Sequence, residues 1–277
     1  MDDEEKHIKA LVEYLGRYYL KTTLPRSFYD DVDVRSLPIW VLWLRGEDAM
    51  PPLVRRCIAS IRKHAGGREV RVLSLDDLAH FGVFMPDHIY DKAGEGAIGP
   101  EHFSDLVRLC LLEKYGGTWL DATVLLTGVI PDSVVEEPFF AFRESTDDIY
   151  SAHMLFSNGI MNAKPNHFFI HNLKNAMFRY WEREDVALHY HIFAFMAYGM
   201  ILSNPVMTRM WLDCSQRSNA PVTALSRALA EPFDAVRLAA ISGASAMHKL
   251  SSKQGDAEPV PGSFLDVLLR DGAAFGL

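Results

Sequence analysis

Cysteine is scarce in this sequence of 277 residues: only Cys57, Cys110 and Cys214 occur, and they lie far apart. Their odd number and scattered positions argue against a disulfide framework. We therefore expect reduced thiols in a cytosolic setting.

Long hydrophobic runs are also lacking. The longest apolar stretch, residues 192–202, is too short to cross a bilayer. The first residues are acidic, whereas a secretory signal peptide begins with positive charge. We expect a cytoplasmic protein, and a peripheral position at the inner face of the cell membrane stays open.

Positive charge is in deficit, because 28 Lys and Arg residues stand against 36 Asp and Glu residues, for a net charge of −8. This balance argues against nonspecific binding to nucleic acid or to anionic lipid. A local basic pocket for a diphosphate is still compatible with it.

The 49% hydrophobic and 23% charged content is typical of a globular protein. We expect an N-terminal helix and connection over residues 1–36 and a single domain over 37–277.

The stretch 104–127, SDLVRLCLLEKYGGTWLDATVLLT, organises the chain. Its first half has apolar residues at helical spacing, and Ser104 and Asp105 are typical helix-start residues. Gly116 and Gly117 predict the end of this helix. The following residues, 118–126, are rich in β-branched and aromatic types and predict a buried strand.

Charged residues flank this helix-to-strand turn. Asp105 and Arg108 are three apart and share one helix face, while Asp121 and Thr123 are two apart and share one strand face. A tight helix-to-strand turn can therefore bring an acid-base pair and a strand-borne carboxylate into one small volume. The alternative for Asp105 and Arg108 is an ion pair on the helix surface, which contributes little.

The first hundred residues predict a strand-helix-strand unit. Residues 38–44 and 70–75 are short apolar runs that predict strands, and a helix is predicted from 51 to 63 between them. Such a unit implies a parallel sheet, in which ligands bind beyond the carboxyl ends of the strands. Trp43 falls at that end of the first strand. The alternative is that Trp40 and Trp43 are core residues of an apolar strand.

The pattern S-D-x-x-R-x-x-x-L, followed by Y-G-G-x-W-x-D-x-T, resembles the nucleotide-sugar site of glycosyltransferase family 32 and its capsular polysaccharide synthesis relatives. The large clostridial toxin glucosyltransferases carry a similar segment. The resemblance covers residues 38–253 and implies an α/β, GT-A-like, Rossmann-type nucleotide-sugar-binding fold. Its central sheet is mostly parallel, flanked by helices, with helical additions. Such enzymes usually carry D-x-D, where this chain has Asp121, Ala122 and Thr123.

The resemblance also implies roles for individual residues. It makes Asp105, Arg108 and Asp121 catalytic. It assigns the donor to these three residues and to Leu42, Trp43, Asn158 and Lys253, and a metal ion to Asp121, Thr123 and His248. Trp43 would stack on the base, and His248 and Lys253 belong to a late H-K-L-x-x-K segment. The alternatives are a turn asparagine for Asn158 and a polar loop for the late segment.

The implied function is a retaining glycosyltransferase. It moves a sugar from a nucleotide-sugar donor, UDP-hexose or UDP-N-acetylhexosamine, to a surface or capsular polysaccharide intermediate. The acceptor would be a carbohydrate or lipid-linked saccharide. The implied cofactor is Mn²⁺ or Mg²⁺, with affinity weakened because Thr123 replaces a carboxylate. The alternatives are a toxin-like enzyme with a protein acceptor and a non-catalytic nucleotide-sugar binding module.

Overall fold

Strands and helices alternate early in the chain, whereas the described residues between 168 and 244 form five helices in succession. The computed structural model describes residues 3–25, 32–144, 156–214, 217–255 and 258–277. The strands are β1 (Ile39–Leu42), β2 (Val70–Leu73), β3 (Gly117–Leu120), β4 (Val124–Leu126), β5 (Phe139–Arg143), β6 (Phe156–Ala163) and β7 (Met247–Lys249). The α-helices are α1 (Asp3–Tyr19), α2 (Pro52–Lys63), α3 (Asp77–His80), α4 (Asp87–Gly94), α5 (Pro100–Tyr115), α6 (Asp132–Val135), α7 (Phe168–Arg183), α8 (Ile192–Ser203), α9 (Pro205–Asp213), α10 (Ala220–Ala228), α11 (Ala235–Ala244), α12 (Ser252–Gly255) and α13 (Phe264–Arg270). Short 3-10 helices lie at Val34–Ser36, Glu47–Ala49 and Ala273–Phe275.

A five-stranded sheet with the order β2-β1-β3-β6-β5 forms the centre of the described chain. β1 pairs in parallel with β2 and β3, whereas β6 runs antiparallel to β3 and β5. Only β6 therefore opposes the other strands of this sheet, which confirms the predicted α/β class with a mostly parallel sheet flanked by helices. The carboxyl ends of β1, β2 and β3 lie along one edge, where such sheets bind ligands.

The predicted single strand over 118–126 is wrong, because the chain turns in the middle. β3 ends at Leu120, and β4 begins at Val124 in a separate two-stranded sheet with β7. The Val124 amide donates to the Asp121 carbonyl at 2.8 Å, which closes a turn with Asp121 in first position. Aspartate favours this position. Asp121 and Thr123 therefore lie on a turn between two sheets, and not on one face of a strand.

Helix α5 begins four residues earlier than predicted. Pro100 is its first residue and Gly99 precedes it as the cap, so Ser104 and Asp105 lie inside the helix. Proline suits this position because its missing amide hydrogen has no partner there. The predicted end is confirmed, since Gly116 follows the last helical residue with a φ of 65°, a conformation that glycine adopts without strain.

Helix α1 packs into the main core through α8. A side chain at Gly199 would lie 2.5 Å from the Tyr19 ring, so the absence of one allows this close approach. Tyr19 is 7% exposed and belongs to the same apolar cluster as Trp40 of the central sheet. Across the described ranges, no helix is both long and apolar enough to cross a membrane.

Candidate active site

Helix α5 carries an ion pair inside the protein. Arg108 Nη1 lies 2.9 Å from Asp105 Oδ1, and the two residues are only 3% and 7% exposed. The guanidinium carbon lies 4.9 Å from the centre of the Trp119 ring and 5.6 Å from that of Phe193 on α8. This burial rules out a surface ion pair. A buried ion pair contributes little net stability after desolvation, so stability alone does not explain its presence.

Asp121 joins this pair from the end of β3. Its Oδ1 accepts a hydrogen bond from Arg108 Nη2 at 3.1 Å and another from Trp119 Nε1 at 2.9 Å. The Asp121 side chain is 26% exposed, compared with 4% for Arg108. The structure therefore brings Asp105, Arg108 and Asp121 together at the carboxyl edge of the sheet, and Asp121 is the member that meets solvent.

Strand β6 supplies a fourth polar side chain. Asn158 Nδ2 donates to Asp105 Oδ1 at 3.0 Å, so this asparagine belongs to the cluster and lies on a strand, not in a turn. The next residue, Gly159, was not among the predicted site residues. A side-chain carbon at Gly159 would lie 3.0 Å from Asp121 Oδ2 and 2.8 Å from Lys249 Cε. Only glycine lets the Asp121 and Lys249 side chains come this close to the β6 backbone.

Lys249 also belongs to this cluster, although it was not among the predicted site residues. Its Nζ donates to Thr123 Oγ1 at 2.8 Å and lies 3.5 Å from Asp121 Oδ2. β7 pairs antiparallel with β4, which places Lys249 opposite Val124 at the turn. Strand alternation within the late segment was the available signal, because neighbouring His and Lys side chains must face opposite sides.

The electrostatics of the cluster raise the pKa of Asp105. Burial raises the pKa of Asp105 to about 6, Arg108 opposes that rise, and the charge of Asp121 adds to it. The pKa of Tyr190 is also raised, by burial and by nearby carboxylates that include Asp105 and Asp121. Tyr190 is 66% exposed, and its backbone carbonyl oxygen lies 3.0 Å from His102 Nε2 on α5.

Leu42 and Trp43 lie at the same edge of the sheet. β1 pairs with β3 so that Trp40 lies opposite Trp119, and continuing this register places Leu42 level with Asp121. Trp40 is a core residue, fully buried with its Nε1 donating to the Gly116 carbonyl at 2.8 Å. Trp43 lies just past β1 and is only partly buried. The core alternative therefore holds for Trp40, and stacking on a base stays a prediction for Trp43.

The structure does not bring His248 or Lys253 to this cluster. His248 is fully buried, burial lowers its pKa to about 4, and its Nε2 lies 3.0 Å from Thr127 Oγ1. It faces away from the cluster because Lys249, its neighbour on β7, faces toward it. Lys253 is exposed on the short helix α12. Within the described ranges, no hydrogen bond or ion pair joins it to Asp121. The late segment is thus partly a strand, and not a polar loop throughout.

The predicted metal ligands Asp121, Thr123 and His248 therefore do not form one set. Among the residues that the structure describes, no group of three or more His, Cys, Asp or Glu side chains is placed to hold a metal ion. The Lys249 ammonium already lies beside the oxygens of Asp121 and Thr123. Two like unit charges 4 Å apart repel by about 4 kcal/mol at an effective dielectric constant of 20, and a divalent ion doubles this. These residues do not fit a divalent cation, so dependence on Mn²⁺ or Mg²⁺ stays a prediction that the donor set does not favour.

A mostly parallel sheet with converging charged side chains at its carboxyl edge defines a ligand-binding α/β protein. The family described as capsular polysaccharide synthesis protein matches residues 4–268, and the chain belongs to this family. The predicted resemblance is confirmed.

Several named glycosyltransferases are similar to parts of the chain. O-glycosyltransferase braB of Annulohypoxylon truncatum is 25% identical over 181 residues, which cover 61% of this chain and 43% of braB. Glycosyltransferase afumC of Aspergillus fumigatus is 35% identical over 104 residues, which cover 35% of this chain and 26% of afumC. The matches thus span less than half the length of these curated relatives. The solved structure of PaToxG Glycosyltransferase superposes with a TM-score of 0.41 at 13% identity, over 75% of this chain and 82% of that chain.

Proposed function

We propose that this protein is a retaining glycosyltransferase. It transfers a hexose or N-acetylhexosamine from a UDP-sugar to a hydroxyl group of a surface or capsular polysaccharide intermediate. The observation that carries the proposal is the meeting of Asp105, Arg108, Asp121 and Asn158 at the carboxyl edge of the sheet. Family membership and the names of the relatives support the same class of reaction.

The cluster suits the recognition of a sugar. Arg108 is held between two carboxylates, so its planar fork is fixed in orientation before any ligand arrives. Asp105 and Asp121 supply acceptors for sugar hydroxyl groups, and Asn158 fixes the orientation of Asp105. Fixed donors and acceptors accelerate a reaction by orienting the anomeric carbon toward the acceptor.

The proposed transfer is a displacement on one face of the sugar. The bond from the anomeric carbon to the diphosphate oxygen breaks, and its electron pair leaves with the nucleoside diphosphate. The acceptor hydroxyl oxygen forms the new bond on the same face, and its proton passes to the departing phosphate oxygen. Positive side chains near the diphosphate favour this departure because they offset the developing negative charge.

Two alternatives differ from this proposal. One has a different acceptor, and the other lacks catalysis. A toxin-like enzyme would use a protein hydroxyl as its acceptor. A non-catalytic module would bind the nucleotide sugar without turnover, and Thr123 in place of a second carboxylate is the observation that favours it. The name O-glycosyltransferase for braB refers to transfer to oxygen and supports the enzyme.

Two measurements on the purified protein test the proposal. A thermal-shift screen of UDP- and GDP-sugars, with and without Mn²⁺, identifies the donor because a ligand that binds the folded state raises the melting temperature. We expect the protein to hydrolyse that donor slowly. Asp121→Asn should abolish this hydrolysis. The control Asp87→Asn, which changes an exposed carboxylate on α4, should retain it. Tight nucleotide binding without turnover of any donor would favour the module, and no binding at all would contradict both.

A further inference from the structure

We propose that Lys249 is the resident cation of this site and binds the diphosphate of the donor without a divalent metal ion. The inference rests on the proposed function, since it concerns how the same site holds its donor. The D-x-D resemblance implies a carboxylate at position 123 as a metal ligand. Here Thr123 stands at that position, and the Lys249 ammonium lies against it.

The ammonium has one direction left for a ligand. Its three protons can each serve one acceptor, and two of these acceptors are Thr123 Oγ1 at 2.8 Å and the Leu250 carbonyl at 2.9 Å. The third neighbour, Asp121 Oδ2, lies at 3.5 Å, which is longer than a normal hydrogen bond. The Lys249 side chain is 30% exposed, so a phosphate oxygen can approach the proton on this side.

The backbone holds Lys249 in this place. β7 pairs with β4, which follows the turn directly, and the Leu250 amide donates to the Thr123 carbonyl at 2.9 Å. Gly159 removes the side chain that would otherwise collide with Lys249 Cε. Strand pairing and a glycine thus fix the ammonium beside Asp121 before any ligand binds.

Before a donor binds, the protein's own charges in the site cancel without a metal. Asp105 and Asp121 contribute two negative charges when both are ionised, and Arg108 and Lys249 contribute two positive ones. A divalent ion added between Asp121 and Thr123 would have to displace the ammonium. A lysine acts as a point charge on phosphate, which is the role that the metal would otherwise have.

The first experiment measures UDP and GDP binding by calorimetry, in excess EDTA and in Mn²⁺. The wild-type protein is expected to bind one of them with the same affinity in both conditions. Lys249→Met should weaken that binding about 10- to 100-fold, because a hydrogen bond to a charged group is lost. Lys249→Arg keeps the positive charge and should retain more affinity than Lys249→Met. The control is Lys63→Met, at an exposed lysine that ends α2, and it should bind like the wild type.

A second variant separates diphosphate binding from a purely structural role of Lys249. Thr123→Asp combined with Lys249→Met places carboxylates at positions 121 and 123 and removes the ammonium. This protein should bind the nucleotide at least about tenfold more tightly in Mn²⁺ than in EDTA, because hard divalent cations prefer charged oxygen ligands. Thr123→Asp alone keeps the ammonium and should show no such gain. An equal gain in Thr123→Asp and in the double variant would mean that Lys249 does not occupy the cation position and would contradict the inference.

The outcomes separate this inference from the proposed function. The inference would be overturned if the wild-type protein bound the nucleotide only in Mn²⁺. It would also be overturned if Lys249→Met bound the nucleotide in EDTA as tightly as the wild type. Either result would leave the glycosyltransferase proposal standing. Failure of the wild-type protein to bind any nucleotide, with or without metal, would overturn both.

Discussion

Helix α5 carries two largely buried charge clusters, about 12 Å apart along its axis. One surrounds Asp105 and Arg108, and the other surrounds Glu113. Glu113 Oε1 lies 2.5 Å from His171 Nδ1, and its Oε2 accepts a hydrogen bond from Lys174. All three of these side chains are less than 20% exposed. By burial and charge alone, the second cluster resembles the first.

The two clusters differ in the elements that surround them. The Glu113 cluster joins α5 to α7, and both bases come from that one helix. The Asp105 cluster gathers side chains from α5, the turn after β3, β6 and β7, at the edge where strands end. It also includes a carboxylate, Asp121, that is 26% exposed. Burial and ion pairing are therefore common to both clusters, and what distinguishes the proposed site is the convergence of several elements at an open sheet edge.

The largest expected effect comes from removing the arginine. Arg108→Met leaves two carboxylates without their cation, and we expect donor hydrolysis to fall by at least about 100- to 1000-fold. The free energy of unfolding should fall by about 3–5 kcal/mol, because a buried charge loses its partner. Hydrolysis rates and urea denaturation at neutral pH measure the two effects.

The matched change in the other cluster is Glu113→Gln. It should lower the free energy of unfolding by about 1–3 kcal/mol, since hydrogen bonds to a charged group are weakened. Donor hydrolysis by the folded protein should be unchanged. Equal losses of hydrolysis in Arg108→Met and Glu113→Gln would remove the distinction between the clusters.

A pH series sharpens the comparison at Asp105. An ordinary aspartate has a pKa of about 3.9, and burial raises that of Asp105 to about 6. The folded protein therefore binds this proton more tightly than the unfolded chain does. Its contribution to stability is fully present below about pH 4 and is lost as the pH rises through about 6.

Urea denaturation of the wild type and of Asp105→Asn between pH 4 and 7 isolates this effect. The free energy of unfolding of the wild type, relative to the variant, should fall with rising pH by up to about 3 kcal/mol. A difference that stays flat over this range would show that Asp105 titrates normally.

The smallest expected effect concerns Gly159. In Gly159→Ala the new methyl group meets Lys249 Cε at 2.8 Å and Asp121 Oδ2 at 3.0 Å. We expect UDP binding to weaken about tenfold, because misplaced contact groups lose affinity and rate. Gly243→Ala is the control, since no atom lies within 4 Å of the added carbon on α11. It should leave binding unchanged and stabilise the helix by about 0.5–1 kcal/mol. Equal binding by both variants would contradict the role of Gly159.

Part of the site could be predicted because it depends on local spacing. Asp105 and Arg108 are three residues apart on a helix, which places their side chains on one face whatever surrounds them. Gly116 ends that helix as predicted, so the strand that leads to Asp121 begins directly after the helix. The partner of Arg108 was therefore predictable from a single short segment.

Lys249 and Gly159 could not be found this way. Lys249 reaches Thr123 across a separation of 126 residues, through the pairing of β4 with β7. The H-K-L-x-x-K segment predicted roles for His248 and Lys253, whereas the residue that contacts the cluster is Lys249, the second residue of that segment. A one-residue difference in strand position reverses the face, and pairing between distant strands sets that position.

The sequence by itself determined the α/β class, the helix-to-strand turn and the ion pair within α5, because periodicity and glycine placement act over a few residues. Only the tertiary structure decided that the pair is buried, that the chain turns at Asp121, and that a lysine lies where a metal ion was expected. Those features depend on contacts between segments far apart in the chain, and local spacing does not predict such contacts.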